Sequence, residues 1–371
     1  MSSPASPSAS SPAPGERPRR RARRSRPAGP VTLDDVAKEA GVSLATASRV
    51  LNGSTRVVGE ALRERVHAAA ARLDYSANAQ AQAMARGRSD VVGLVVHDIA
   101  DPYFSSLAAG VMNAAEGSGA IVTLAVSRGD ADREVAHVAA LRRQRVRAVI
   151  LAGSRWDDAG RTDALRAELE AFRGSGGLVA AATQDVLGVD TVLVDNTGAA
   201  ARLAGAVADL GYREALLLEG PEDLLTARDR TAGFLAGLRD RGLGPVQRLS
   251  GPFTRDGAYD SVARFLRRGP LTRVDGRPPV LLAANDVMAV GAIAAARDAG
   301  LDVPGDLAIA GFDDIPTLRD VSPALTTVRL PLTEIGTRLF ELVDTADGGP
   351  VRHEHVEGEV LLRASTPPLT A

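Results

Sequence analysis

Residues 32–51, TLDDVAKEAGVSLATASRVL, decide how the rest of the chain is read. Two short helical patterns are split by Gly41-Val42-Ser43. Thr32 with Asp35 three residues on gives a capping-box-like start to the first, with Asp in place of the usual Glu or Gln. Val36, Ala37 and Ala40 share one face of it, Gly41 permits a sharp turn, and Ser43 caps the second pattern. Ala47, Val50 and Leu51 point inward there, leaving Leu44, Ala45, Thr46, Ser48 and Arg49 outside. Small Ala37 and Ala47 let the helices cross closely, as a helix-turn-helix requires. The alternative is an ordinary alanine-rich helical hairpin.

Working outward, a third amphipathic pattern runs from about Glu60 to Leu73, with Leu62, Val66, Ala69, Ala70 and Leu73 at helical spacing. Residues 31–76 are therefore expected to form an all-α headpiece with its own small core. Residues 78–86 have high helix propensity but are too few to be stable alone in water, which suits a hinge helix within 77–89. Residues 1–30 are Ser/Pro/Ala-rich and then carry seven arginines between 17 and 26, the composition of a disordered tail. No apolar segment follows those arginines, so an export signal is not expected.

The 371 residues carry a formal net charge of −2, but the positive charge gathers at the N-terminal end, which favours nucleic acid as a partner there. Lys38 is the sole lysine, a bias read as coding composition before function. There is no cysteine, which excludes disulfides and thiolate metal sites. No run of apolar residues is long enough to span a membrane. His353-x-His355 in a polar segment is not a metal pattern, and no cofactor or metal is expected.

From Asp90 onward, apolar runs such as Val91–Val96, Ala148–Ala152, Val179–Ala182, Ala215–Leu218 and Val280–Ala284 alternate with amphipathic stretches. That alternation predicts an α/β body of parallel sheets covered by helices. Ligands of such sheets bind beyond the carboxyl ends of the strands. His97–Phe104 (HDIADPYF), Asn285-Asp286 and Gly311-Phe312-Asp313-Asp314 fall at such ends, and Arg230-x-x-Gly233-Phe234 opens a helix facing the same cleft. Each has a plainer reading: the GFDD stretch as a turn, Asn285 as a helix cap, Arg230 as half of a surface ion pair. Asp195-Asn196 and Trp156 are secondary cleft candidates.

Several motifs together resemble the lactose-repressor (LacI/GalR) family of bacterial transcription regulators. They are Thr32-Leu33-x-Asp35-Val36-Ala37, Ala40-Gly41-Val42-Ser43, Thr46-Ala47-Ser48-Arg49-Val50-Leu51-Asn52 and Tyr75-x-x-Asn78, and the likeness runs on through the body. The resemblance implies a two-lobed, periplasmic-binding-protein-like body at 90–371. The N-lobe would take about 90–193 and 332–348, the C-lobe about 194–331 and 349–371, with crossovers near 194, 331 and 349. It implies base reading by Leu44, Ala45 and Arg49, and phosphate positioning by Thr32, Ser43, Thr46 and Asn52. Asn78, Ala81 and Met84 of the hinge would meet the central minor groove, Met84 as a wedge. Arg230, Asn285 and Asp313 would bind the effector, with Tyr103, Phe104 and Phe253 as its aromatic walls. Ala77 in place of a proline, Gly59 in place of a Ser or Thr cap, and a loop at 52–58 that is one residue longer than usual depart from the family pattern.

The expectation is a cytoplasmic homodimeric repressor bound to palindromic operator DNA and switched by a small molecule, a carbohydrate in the first instance. A nucleobase acting as corepressor is the alternative, and a sugar-binding protein without DNA function a third. The chain has no Gly-rich phosphate loop, metal-ligand cluster or nucleophile elbow, so an enzyme is not expected.

Overall fold

A computed structural model describes residues 31–51, 58–76, 89–244, 247–346 and 349–369, and the chain divides into two compact units between Gln82 and Ala83. In the first unit, α1 (Leu33–Ala40), α2 (Leu44–Leu51) and α3 (Glu60–Leu73) close on Val36, Ala37, Ala40, Ala47, Val66, Ala69 and Ala70. The capping box forms as the sequence implies, with Thr32 and Asp35 bonding each other's backbone. Gly41 takes φ +63°, where a side chain is disfavoured, and a Cβ there would also press on the Arg65 guanidinium. Arg65 donates from Nη2 to the Ala40 carbonyl, tying α3 to the end of α1. Leu62, expected in this core, is instead exposed.

The second unit holds two parallel sheets. The first runs β11-β5-β4-β3-β1-β2, from β1 (Val91–Val96), β2 (Ile121–Val126), β3 (Ala148–Ala152), β4 (Leu178–Thr183), β5 (Asp190–Val194) and β11 (His353–Val356). Helices α4 (Pro102–Ser118), α5 (Ala131–Arg143), α6 (Ala159–Gly174) and α11 (Leu332–Asp344) belong with this lobe. The second sheet runs β7-β6-β8-β9, from β6 (Ala215–Glu219), β7 (Gln247–Ser250), β8 (Val280–Ala283) and β9 (Ala308–Ala310). Its helices are α7 (Asn196–Asp209), α8 (Leu225–Arg239), α9 (Arg255–Leu266) and α10 (Asp286–Asp298). A two-stranded antiparallel ribbon joins β10 (Thr327–Arg329) to β12 (Glu359–Leu361).

Helix starts follow from chemistry at the preceding residue. Asp101, Asp130, Asp158, Asp195, Thr254 and Asn285 each accept a backbone N–H of the first turn. Three helix pairs among the described residues cross at glycine, one where a Cβ on Gly291 of α10 would lie 2.2 Å from the Arg255 carbonyl oxygen of α9. A Cβ on Gly336 of α11 would lie 2.1 Å from the Leu107 carbonyl oxygen of α4, and one on Gly237 of α8 2.2 Å from the Ala201 oxygen of α7.

One boundary moves. His353–Val356 pairs in parallel with Thr191–Val194, so the chain stays with the first lobe to Val356, and the last crossover lies beyond it rather than near 349. The polar HEHV segment has no apolar pattern to announce it, because it is an edge strand held by backbone pairing. The polar strand Gln247–Ser250, at the other sheet's edge, escapes the apolar reading for the same reason.

Candidate functional site

Two sets of residues stand apart from the core, one on each unit. On the headpiece, Ala47 is buried while Leu44, Ala45 and Arg49 lie exposed on the opposite side of α2. Half of the Leu44 surface is open to solvent. Ser43 Oγ accepts the Thr46 amide at 3.1 Å and lies 2.9 Å from Thr46 Oγ1. Thr32 Oγ1 donates to Asp35 Oδ2 at 2.7 Å. The three hydroxyls thus hold helix starts as well as facing outward. Bonds from the Thr32 backbone and then its hydroxyl keep the Asp35 carboxyl below its ordinary value. Asn52, Asn78, Ala81 and Met84 lie outside the described residues.

In the body, the chain ends its parallel strands on one polar cluster. Arg230, in the second turn of α8, is almost completely buried. Its Nε donates to Asn196 Oδ1 at 2.9 Å, Nη1 to the Ala284 carbonyl at 2.8 Å, and Nη2 to Asp313 Oδ1 at 2.8 Å. The guanidinium also sits 3.9 Å over the Phe312 ring. Of the plainer sequence readings, the helix cap holds and the surface ion pair does not. Asn285 caps α10 through the Met288 amide, and Arg230 does pair with an acid, though a buried one.

Burial pushes the Asp313 carboxyl up to about 8, against the pull of Arg230 and with a further push from Asp286. Asp286 is itself raised to about 6 by burial, although Thr327 Oγ1 and the Ile315 amide donate to it. Asp313 and Asp314 take φ +117° and +54°, two successive left-handed residues of which neither is glycine. Asp286 fixes this turn from beneath by holding Ile315. Asp286, noted in the sequence only as following Asn285 at a strand end, and Asn196, a secondary cleft candidate, both join this cluster. The Asn-Asp pair ending β8 was the available signal.

Tyr103 and Phe104 come from the other lobe, at the start of α4. Their rings meet edge to face with centroids 5.0 Å apart, and His97 lies 5.6 Å from Phe104. Burial, then the nearby Asp313 charge, holds the Tyr103 phenol protonated far above neutrality. Tyr103 is therefore brought within electrostatic reach of Asp313 and Arg230 across the lobes. Phe253 packs beside Gly220, where a Cβ would meet its ring, and so borders the first turn of α8. Burial, helped by the Arg155 charge, depresses His97 to about 4, so its imidazole is neutral at pH 7.

A second buried arginine lies in the first lobe. Arg155 grips both oxygens of Glu134, each at 2.9 Å, and donates to the Gly153 carbonyl. Its backbone carbonyl accepts Leu225 N–H of α8, while Gln184 reaches Thr226 Oγ1 and Asp157 N–H reaches the Asp223 carbonyl. Trp156 bridges to Leu224 and donates its indole N–H to Gly129. The segment 154–157 thereby latches the two lobes together. Among the described residues no group of acids and histidines forms a metal site, and no helix is long and apolar enough to cross a membrane.

Comparison with known proteins agrees with both units. A family model described as bacterial regulatory proteins, lacI family, matches residues 32–78, and a periplasmic binding protein-like domain model matches 204–366. The HTH-type transcriptional repressor PurR of Photorhabdus laumondii subsp. laumondii is 31% identical over 316 residues, 84% of this chain and 89% of that protein. PurR of Proteus mirabilis is 30% identical over 315 residues, with the same coverage of each chain. The Lac repressor dimer bound to operator and the anti-inducer ONPF superposes with TM-score 0.77 at 26% identity, over 91% of this chain and 100% of that one. A CelR–cellobiose complex gives TM-score 0.64 at 26% identity, over 90% and 99%.

Proposed function

The chain belongs to the lacI family of bacterial regulatory proteins, and on that premise we propose that α2 reads operator DNA while Arg230 and Asp313 hold a polyhydroxylated effector between the lobes. It is a DNA-binding transcriptional repressor with a small-molecule effector, as its relatives are. Repressors of this family act as dimers, and a dimer would set two recognition helices one helical turn apart on a palindromic site. Work on chromosomal DNA would place the protein in the cytoplasm.

The observation that carries the effector reading is the shared arginine. Arg230 divides its donors among three partners and touches only one Asp313 oxygen, and Tyr103 faces the pair from the other lobe. A guanidinium carries five N–H donors and an ionised carboxylate accepts from several hydroxyls, so vicinal diols suit the pair, and a ring suits the apolar face of a sugar. CelR, a relative in fold and sequence, was solved with cellobiose. The Tyr103–Phe104 ring pair equally favours stacking on a flat nucleobase, which is the second reading.

The chain has one tryptophan, Trp156, and it lies in the segment that latches the lobes. Sugars and nucleobases titrated against the full-length protein should change its fluorescence when the cleft is filled. The ligand that does so should alter the gel shift of palindromic DNA from upstream of the chain's own gene. Arg230→Ala should keep operator binding and lose that response. A full response in Arg230→Ala would place the effector elsewhere, and no shift by wild type on any palindromic fragment would sink the operator reading. On the headpiece, Arg49→Ala should lower discrimination between operator and random DNA by roughly tenfold or more, the worth of one good base contact.

A further inference from the structure

The strained turn that carries Asp313 faces two ways. Asp313 points inward to Arg230, and Asp314 points to a separate cavity of about 470 Å³ on the other side. There Arg329 Nε and Arg363 Nη1 each donate to the Asp314 carboxylate at 2.8 Å. Burial would raise the Asp314 carboxyl, but the bonds from Arg363 and Arg329 outweigh it and leave its value lowered. Arg319, on the 3-10 turn Pro316–Asp320, lines the same cavity and is exposed. It makes no ion pair among the described residues. Glu359 lies 3.6 Å from Arg329, and Asp320 follows Arg319 at the end of the 3-10 turn.

Three guanidiniums thus line the cavity, and the one carboxylate among its lining residues, Asp314, is shared by two of them. We propose that this cavity is a second small-molecule site that takes a compact polyanion, a phosphorylated or polycarboxylated metabolite. Planar guanidinium forks match phosphate and carboxylate oxygens, and Arg319 is free to close on them. The volume falls in the range of metabolite pockets. Leu318 and Val321 supply apolar wall for the carbon skeleton. Ser106 of α4 and Thr333 of α11 belong to the first lobe, whereas Asp314 and Arg319 follow the second sheet. A bound anion would touch both lobes and so respond to their relative angle.

Isothermal titration of the full-length protein with inorganic pyrophosphate and with citrate, each against potassium chloride of equal ionic strength, tests the site. Wild type should show saturable binding, and Arg319→Glu should weaken it at least tenfold. The difference between these two is the readout, so association of anions with the seven arginines of residues 17–26 cancels. Arg239→Glu, the same charge change on an exposed arginine of α8, should bind as wild type does. The stronger of the two probes tells phosphate from carboxylate preference. Binding undiminished in Arg319→Glu, binding equally weakened in Arg239→Glu, or heats no different from the chloride control would each overturn the proposal.

Discussion

Each lobe buries one arginine against one acid, yet the two pairs are built differently. Arg155 spends both terminal nitrogens on both Glu134 oxygens, a closed fork with nothing left over for a visitor. Arg230 gives only one nitrogen to one Asp313 oxygen and spreads the rest over Asn196 and a carbonyl. A closed fork compensates two desolvated charges and does little else. A divided one keeps acceptor capacity on the acid, and its protonation is poised. On the proposed reading the contrast would separate a brace from a binding group where burial alone could not, since both arginines are about equally hidden.

The largest expected effect breaks the brace. Glu134→Ala leaves the Arg155 charge buried and unpaired, and should cost about 3–5 kcal/mol in urea unfolding of the body. Arg230→Ala should cost less, about 1–3 kcal/mol, because Asp313 can take a proton and stay neutral. Equal losses would mean that both pairs are merely structural. Glu134→Ala that still folds should also loosen the latch, since Arg155 presents its carbonyl to Leu225.

Neither pair was equally legible in the chain. Asn285 and Asp313 could be placed at strand ends because the strands are plain apolar runs such as Val91–Val96, whereas their effector role and that of Arg230 were implied by the family resemblance. Arg155 sits in a Ser-Arg-Trp stretch that reads as surface loop, and nothing local points to Glu134, 21 residues earlier on α5. Asn196 and Asp313 lie 34 and 83 residues from Arg230, so only the folded chain reveals that one guanidinium serves both. The edge strands Gln247–Ser250 and His353–Val356 were hidden for a related reason: backbone pairing supports them, and pairing leaves no mark on side-chain pattern.

A smaller effect tests the poise of the divided pair. A carboxyl raised from its unfolded value of 3.8 to about 8 binds its proton in the folded state over that window. Its contribution is fully present at low pH and is lost as pH rises through the folded value. Asp286, at about 6, adds a smaller loss in the same direction, while His97, held at about 4 against 6.5 unfolded, opposes it by gaining stability as pH rises through the unfolded value. Stability of wild type should therefore fall by about 1–2 kcal/mol between pH 6 and 8. In Asp313→Asn that slope should flatten, as thermal melts across the range would reveal. Effector affinity should move the opposite way, rising with pH as Asp313 ionises and can accept hydroxyls. A slope unchanged in Asp313→Asn would mean that Asp313 is ionised throughout, and both pairs would then be charged in the same manner.

The smallest effect concerns the link between the two pairs. Trp156 follows Arg155 and meets Leu224, six residues before Arg230, but the backbone bonds Asp157 to Asp223 and Leu225 to Arg155 join the same segments. Trp156→Phe removes the indole bond to Gly129 and weakens the stacking of Arg161, 5.6 Å away, without touching those backbone bonds. One neutral hydrogen bond at a half-buried site is worth about 1 kcal/mol, so unfolding should shift by no more than that. Effector affinity, read by calorimetry now that the fluorophore is gone, should change by less than about tenfold, the factor that 1.4 kcal/mol represents. A much larger loss of affinity with stability intact would put the indole inside the pocket as a ligand contact. The brace would then help to shape the site directly, and the division of labour between the two arginines would be less complete than their hydrogen bonds imply.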